Sequence, residues 1–473
     1  MGCGSGWARV VVALLAACFV TGAAEAQRGI STAASLRTRA EAWDWFDRGP
    51  EGRYVFSGTL IRGSAQWGGS SASARVELAA PILLNLPDDA VAPAPAGALG
   101  LGANYFAANT GDRHAAHLFP REAWIQFGGT EGHRLRLGRT EFADGGEVTP
   151  ASPTLAAVKG QRIAQRLVGP FGWSHVGRSF DGLLYAWARP GWNATILAAR
   201  PTRGAFDVNG WGHLDLDLGY AALTAAGRHS DARIFALVYD DDRRLPRTDN
   251  RPGAVRVADS AGAEIVTAGV HLLREIPTRA GPIDLLGWGA IQFGDWGNDP
   301  HRAGALALEA GIQPRGVPLR PWLRGGVFRA TGDDDPDDAR HETFFSTLPT
   351  PRIYARMPFF TTMNVEEAFG SLALRPGKVS VRADIRWLRL AQAADLWYAG
   401  GGAFDQESFG YAGRSASGRS LATLTDLSLE WRPTGALAVT LFAARAAGGQ
   451  AIEGIYGVGA AGMFGYVELE LRR

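Results

Sequence analysis

Cysteine is nearly absent. The only two in 473 residues, Cys3 and Cys18, both precede residue 20. If the leader is removed, no thiol nucleophile, thiolate metal site or disulfide framework remains. After that leader no apolar run reaches the ~18 residues that a spanning helix needs, which excludes a helical membrane protein. Charge of one sign is also lacking. Lys+Arg at 48 and Asp+Glu at 47 leave a net +1, without the basic surplus of a nucleic-acid binder. No long Ser/Pro tract or block of like charge marks a linker after residue 50.

What is present is glycine and tryptophan, at 62 and 15 residues, poor material for a soluble helical enzyme but compatible with a β wall. The N-terminus reads as a signal peptide: Arg9, an apolar stretch from Val10 to Val20, and Ala24-Glu25-Ala26 as a small-x-small cleavage site. The mature chain is expected to begin at Gln27. A lipobox-like Leu15-Ala16-Ala17-Cys18 is the alternative, with Cys18 as lipid acceptor.

Beyond residue 50 apolar and polar residues alternate. In Val381-Arg382-Ala383-Asp384-Ile385-Arg386-Trp387 the apolar side chains share one face and the charged ones the other, as a period of two requires. About eighteen such segments run from Tyr54 to Met463, one near Leu99, each near the ~9–11 residues of a tilted spanning strand. Their connections alternate too. Short turns (129–132, 190–191, 315–318, 376–377, 433–435) separate long loops (142–177, 242–261, 331–360, 392–418, 448–460). This is the rhythm of an all-β, transmembrane antiparallel barrel of the bacterial outer membrane, with long loops outside. Leu86–Gly97, expected to be short, breaks the rhythm. The expected organisation is residues 1–26 as signal peptide, 27–50 as a periplasmic lead-in with a helix around Ala33 to Trp45, and 51–473 as barrel.

The chemistry-bearing residues fall into few groups. Arg324, Arg382, Asp384 and Arg386 occupy polar strand phases, together with Arg134 and Arg136. They fit either a solvated wall of a water-filled lumen or an electrostatic funnel for anions. Asp333, Asp335 and Asp337 share a D-x-D-x-D spacing, read as a solvated loop or a surface Ca²⁺ site, since the glycine and closing glutamate of an EF-hand are missing. No other cofactor is expected. There is no G-x-S-x-G and no H-E-x-x-H. His175 with Ser174 or Ser179, and the pair His114 and His117, are the remaining candidates for hydrolysis or metal binding, and neither has supporting motif residues. No enzyme is expected.

Several stretches resemble the alginate export porins: Gly177-Arg178-Ser179-Phe180-Asp181-Gly182, Gly138-Arg139-Thr140-Glu141, Thr331 to Asp338 with Phe344-Phe345 and Leu348 to Pro351, Arg382-Ala383-Asp384, and Asp395 to Tyr398 with Gly400 to Gly402. The likeness spans roughly residues 50–473. It implies an eighteen-stranded barrel whose arginine-lined constriction passes an anionic polyuronate, with acidic residues holding the basic ones in place. By motif position it assigns Arg139, Arg178, Asp181, Arg382 and Asp384 to the lumen. Asp181 shares its phase with Leu183, Tyr185 and Trp187, so that place demands a bulge near Gly182. A further arginine of the pattern falls on Arg162 or Arg166. The expected partners are an anionic polysaccharide or small organic anions, outer-membrane lipid and periplasmic export proteins, with no nucleic acid. A general weakly selective porin and a loop-plugged, surface-binding barrel are the alternatives.

Overall fold

The computed structural model describes residues 29–69, 71–129 and 131–473. The signal peptide expected at 1–26, with its Cys18 alternative, lies outside the described residues. The strands are β1 (Ile30–Asp44), β2 (Arg53–Gly68), β3 (Ala72–Leu84), β4 (His114–Ala116), β5 (Phe119–Phe127), β6 (Gly132–Thr140), β7 (Phe180–Arg189), β8 (Trp192–Pro201), β9 (Asp217–Gly227), β10 (Ser230–Asp241) and β11 (Ala263–Ile276). They continue as β12 (Ile283–Trp296), β13 (Asp299–Ile312), β14 (Trp322–Ala330), β15 (Val365–Leu374), β16 (Val379–Arg389), β17 (Leu396–Gly400), β18 (Tyr411–Ser415), β19 (Ser420–Trp431), β20 (Leu437–Gly448) and β21 (Ala461–Arg472).

All but β17 and β18 belong to one sheet of nineteen segments. β4 and β5 pair in succession with β3 and form one interrupted stave. β1 pairs with β2 on one side and β21 on the other, which closes the sheet. The wall is an antiparallel barrel of eighteen staves. Closure satisfies every backbone group of the wall without leaving an edge in hydrocarbon. Among the described residues no helix is long and apolar enough to cross a membrane. The outward phase instead carries exposed Val270, Leu272, Ile291, Leu306, Leu308, Val327, Trp387, Leu427 and Val467, an apolar belt for lipid.

The expected lead-in at 27–50 is corrected: residues 30–44 are a barrel strand, not a helix. Its inward phase carries Arg39, Glu41 and Trp43, and its outward phase Ala34, Ala40 and Ala42. Alanines on the lipid side give little apolar alternation and raise helical propensity, so the period was hidden. The strand expected near Leu99 is a helix, Leu101–Ala108, within the long 85–113 connection. That helix removes the misfit at Leu86–Gly97, which belongs to a long loop. One strand missed and one overcounted leave the number at eighteen.

Both termini of the wall and most short turns share one rim; the two-residue turn 297–298 between β12 and β13 lies on the other. The long loops share the other, and several fold into the barrel. From 141–179 come buried Leu155, Val158, Leu167 and Phe171; from 331–364, Phe344, Leu348, Met357 and Phe359; from 390–419, Trp397 and Tyr398 on the β17–β18 hairpin. The hydrophobic core therefore lies inside the barrel.

Candidate functional site

The lumenal charges of β14 and β16 are paired, whereas Arg136 on β6 bonds only Gln126 and Thr140. On β16 Arg382, Asp384 and Arg386 face inward and Ile385 and Trp387 outward, as alternation requires. Arg382 Nε donates to both Asp384 oxygens at 3.0 and 2.9 Å. Arg386 donates to Glu367, and to Asp384 at 3.3 Å. Arg324 also faces inward, bonding Asp284, and Glu309 at 2.9 Å. The other Glu309 oxygen accepts from Arg162 at 2.8 Å. Arg162 ends the helix Pro153–Arg162, whose first turn is capped by Ser152 Oγ accepting from the Leu155 N–H at 3.2 Å. One inward-folded loop helix thus docks on wall carboxylates. Of the two candidates Arg162 and Arg166, only the first has a carboxylate within ion-pair distance among the described residues.

The Gly177–Gly182 motif is a corner. Gly177 adopts φ +75°, and a Cβ there would lie 2.4 Å from the Arg121 guanidinium, so only glycine fits. Ser179 Oγ donates to the Arg121 carbonyl at 2.6 Å. Arg178 points inward, its Nη2 donating to the Gly401 carbonyl at 2.5 Å. Asp181 does not. The registers of β7 with β6 and β8 run unbroken through Gly182, with no bulge. Asp181 therefore stays in phase with Leu183, and its directly paired partner Arg139 stays in phase with Leu137, both outward. Arg139 also donates to the carbonyls of Gly210 and Trp211 at 3.1 and 3.0 Å. The placement of Arg139 and Asp181 in the lumen is corrected: they staple the outer wall near the long-loop rim.

A second set of arginines escaped the alternation argument because they lie within the inward-folded segments, Arg352 outside any strand and Arg414 on β18, which is too short to show a period. Arg352 and Arg414 are buried and, like Arg178, have no carboxylate within ion-pair distance among the described residues. Arg352 donates to the Met357 and Phe360 carbonyls. Arg414 donates to the Ala96 carbonyl at 3.0 and 2.9 Å and lies over Trp397. Burial lowers Arg178 to about 10 and Arg352 to about 9, so both keep their charge at pH 7. Nε and Nη1 of Arg178 and Nη1 of Arg414 are buried without a hydrogen-bond partner. The one cue in the sequence was that Arg352 directly follows Leu348–Pro351.

Two cavities flank these loops. One of about 300 Å³ on the long-loop side is lined by Trp45, Phe171, Trp173, Phe206, Phe404 and Tyr411, with Arg352 and Arg414 among them. The other, about 350 Å³ on the short-turn side, is lined by Arg37, Arg62, Arg121 and Arg472, with Glu141, Glu468 and Glu470. Arg121 Nε holds Glu141 at 2.7 Å, and Arg121 leads the groups that keep this carboxylate below its usual range against the opposing effect of burial.

The other sequence candidates are scattered. Asp333 is buried while Asp335 and Asp337 are exposed. Asp333 and Asp335 each accept the amide N–H two residues on, at 3.2 and 3.1 Å, so the spacing serves successive Asx turns. Among the described residues no three acidic or histidine side chains converge as a metal site. Burial pushes Asp333 up to about 7 and Asp395 to about 6. Asp395 Oδ2 accepts from Thr343 Oγ1 at 2.6 Å and from the Asp333 amide at 3.1 Å. His175 is fully buried, and its ring occupies the space a Cβ on Gly58 would need, at 2.3 Å. Ser174 Oγ is spent on the Phe171 carbonyl and on the amides of Val176 and Gly177. This is a packing arrangement, not a nucleophile and its base.

A family model described as "Alginate export" matches residues 29–454. No curated protein matches the sequence. Among solved structures, Acinetobacter baumannii OccAB2 superposes with a TM-score of 0.58 at 8% identity, over 94% of this chain and 98% of that one. Pseudomonas aeruginosa OccK9 (OpdG) gives 0.55 at 11% identity, over 94% and 98%. Pseudomonas aeruginosa OpdK, solved with vanillate, gives 0.55 at 9%, over 94% and 98%. These likenesses concern the fold.

Proposed function

Because the chain belongs to the alginate export family, we propose that this outer-membrane transport conduit carries anionic polyuronates or small organic anions, guided by buried guanidinium groups that pair with no carboxylate among the described residues. The observation that carries this reading is the contrast between two sets of arginines. Those on the wall, Arg324, Arg382 and Arg386, are each matched to carboxylates. Arg178, Arg352 and Arg414, on loops packed into the barrel, meet only carbonyls and ring faces. At ~4 Å and an effective dielectric of ~20, a carboxylate gains about 4 kcal/mol from one such cation before desolvation is subtracted. The wall pairs add little net field. They hold their guanidiniums in place, with a passing carboxylate able to exchange for Asp384 or Glu367.

A second reading has a specific observation behind it. The cavity on the long-loop side carries several aromatic rings in a mainly apolar wall, and the inward loops bound compact chambers. Both suit a small, flat carboxylate better than a general solute, and the solved OpdK carries vanillate. A general porin has no use for the uncompensated arginines. A loop-plugged, surface-binding barrel would leave the two chambers unconnected.

The test is reversal potential in planar bilayers across a salt gradient, followed by block with oligouronates and with benzoate-class acids. Anion selectivity with block by either acid class supports the conduit and says which anion fits. A cation-selective or unselective current, unaffected by both, rejects it.

A further inference from the structure

The two cavities share one partition. Along the 170–173 segment Pro170 and Gly172 line the short-turn cavity, Phe171 lines the long-loop cavity, and Trp173 lines both. On the second inward loop Arg352 lines the long-loop cavity and its neighbour Ile353 the other. Two segments whose successive residues face opposite chambers make a septum about one residue thick.

We infer that this septum is the narrowest point of the passage and that Trp173 sets both its opening and the anions that cross it. The inference rests on the conduit reading above. The septum is tied to the wall by its carbonyls. Arg37 Nη1 donates to Gly172 O at 2.7 Å, and Nη2 to Ser174 O. Arg39 Nη2 donates to Trp173 O at 3.2 Å, while its guanidinium lies 4.4 Å from the Trp173 ring centroid. Arg39 is fixed in turn by Glu468 at 2.6 and 2.8 Å. The backbone is thus anchored by hydrogen bonds, whereas the ring is held by packing alone, on Arg39 and on Phe464 with ring centroids 6.4 Å apart. Trp173 Nε1 is buried without a hydrogen-bond partner, so the ring can turn without breaking one, and its N–H is free for an arriving carboxylate. The stacking on Arg39 holds the ring across the septum at rest. Gly172 leaves room beside it: a Cβ there would meet nothing within 4 Å.

The full chain in planar bilayers provides the test, with heat-modifiable migration to establish folding. Trp173→Ala should raise single-channel conductance roughly twofold or more, since a constriction sets most of the resistance of a pore. Gly172→Leu should lower conductance, because Gly172 lines the short-turn cavity and a Cβ there has open space to extend from. Trp192→Ala, on the exposed outer wall, should leave it as in the native chain. Trp173→Phe, which loses the N–H, should keep conductance near native and weaken block by carboxylates. A conducting native barrel whose current ignores both Trp173→Ala and Gly172→Leu overturns the septum. If Trp173→Ala does not fold, Gly172→Leu decides alone. Current from Trp173→Ala where the native chain is silent supports the gate. Silence from the native chain and every folded variant sinks the conduit reading, and this inference with it.

Discussion

Arg139 and Asp181 clasp each other through two hydrogen bonds of 2.7 Å, from Nε and Nη2 to the two carboxylate oxygens, at directly paired positions of β6 and β7 on the outside of the barrel. The next stave pair repeats the arrangement with Arg200 and Asp217, at 2.7 and 3.0 Å. Charges at this level mark where the apolar belt ends below the long-loop rim. Arg139→Gln with Asp181→Asn should leave reversal potential unchanged, because neither group faces the lumen. A partly exposed pair contributes about 1 kcal/mol or less, so the heat-modification temperature should fall only slightly. A changed ion selectivity would return this pair to the lumen.

Arg386 poses the opposite case. It is almost wholly buried between Glu367 and Asp384. Arg386→Glu places a further carboxylate beside those two and orphans Glu367, while Asp384 keeps Arg382, at a cost of about 3–5 kcal/mol. Paired with Arg382→Glu it should impair barrel assembly rather than simply reverse selectivity. Arg386→Met with Glu367→Leu should recover assembly, since replacing both partners leaves no orphaned charge. The folded fraction on unheated gels reads the result, and a fully folded Arg386→Glu barrel would show that water reaches these groups.

The wall was legible in the sequence wherever its two faces differed strongly. Val381 to Trp387 and Leu135 to Leu137 lie as their alternation requires. β1 was hidden because its outer face is largely alanine, too weakly apolar to contrast with the inner one. Phase also placed Asp181 correctly outward, against the motif resemblance. What the sequence withheld was the interior. Arg352, Arg414 and Trp173 sit on loops, where position follows from docking against the wall rather than from any period. The ties that make Trp173 a partition run from β1 to residues 172–174, a contact no local pattern announces.

The buried acid pair predicts a pH response. Asp333 and Asp395 have their carboxyls raised to about 7 and 6, first of all by burial and, for Asp333, also by the neighbouring Asp395. A raised folded-state value means that the packed arrangement is fully favoured below about pH 4, where these groups are protonated in any state, and loses that advantage as pH rises through 6 and 7. Hydrogen exchange across 331–340, corrected for the intrinsic base-catalysed rate at each pH, should therefore be slow at pH 5 and faster at pH 8. Asp333→Asn should flatten the change above pH 6 and keep the loop protected at pH 8. The same rise with pH in Asp333→Asn and native barrels would locate the titration elsewhere.

The sharpest prediction concerns the arginines without partners. Neutralising a wall arginine removes one member of a pair and disturbs the wall. Neutralising Arg178, Arg352 and Arg414 removes positive field and orphans no acid. At ~10 Å and an effective dielectric of ~20, one such charge acts on a passing anion with about 1.7 kcal/mol before screening. These groups are buried, so salt screens them less than exposed charges. Even a third of that figure from each would together exceed the ~1.4 kcal/mol that corresponds to tenfold. Arg178→Gln, Arg352→Gln and Arg414→Gln combined should thus cut the anion-to-cation permeability ratio roughly tenfold, with the barrel still heat-modifiable because glutamine keeps a donor for the carbonyls. The matched control is Arg200→Gln, on the outer wall beside Asp217, which should leave the ratio at its native value. Equal ratios in the triple variant and the control would mean that the buried guanidiniums only brace the loops and that anions, if they pass, are drawn by another part of the lumen.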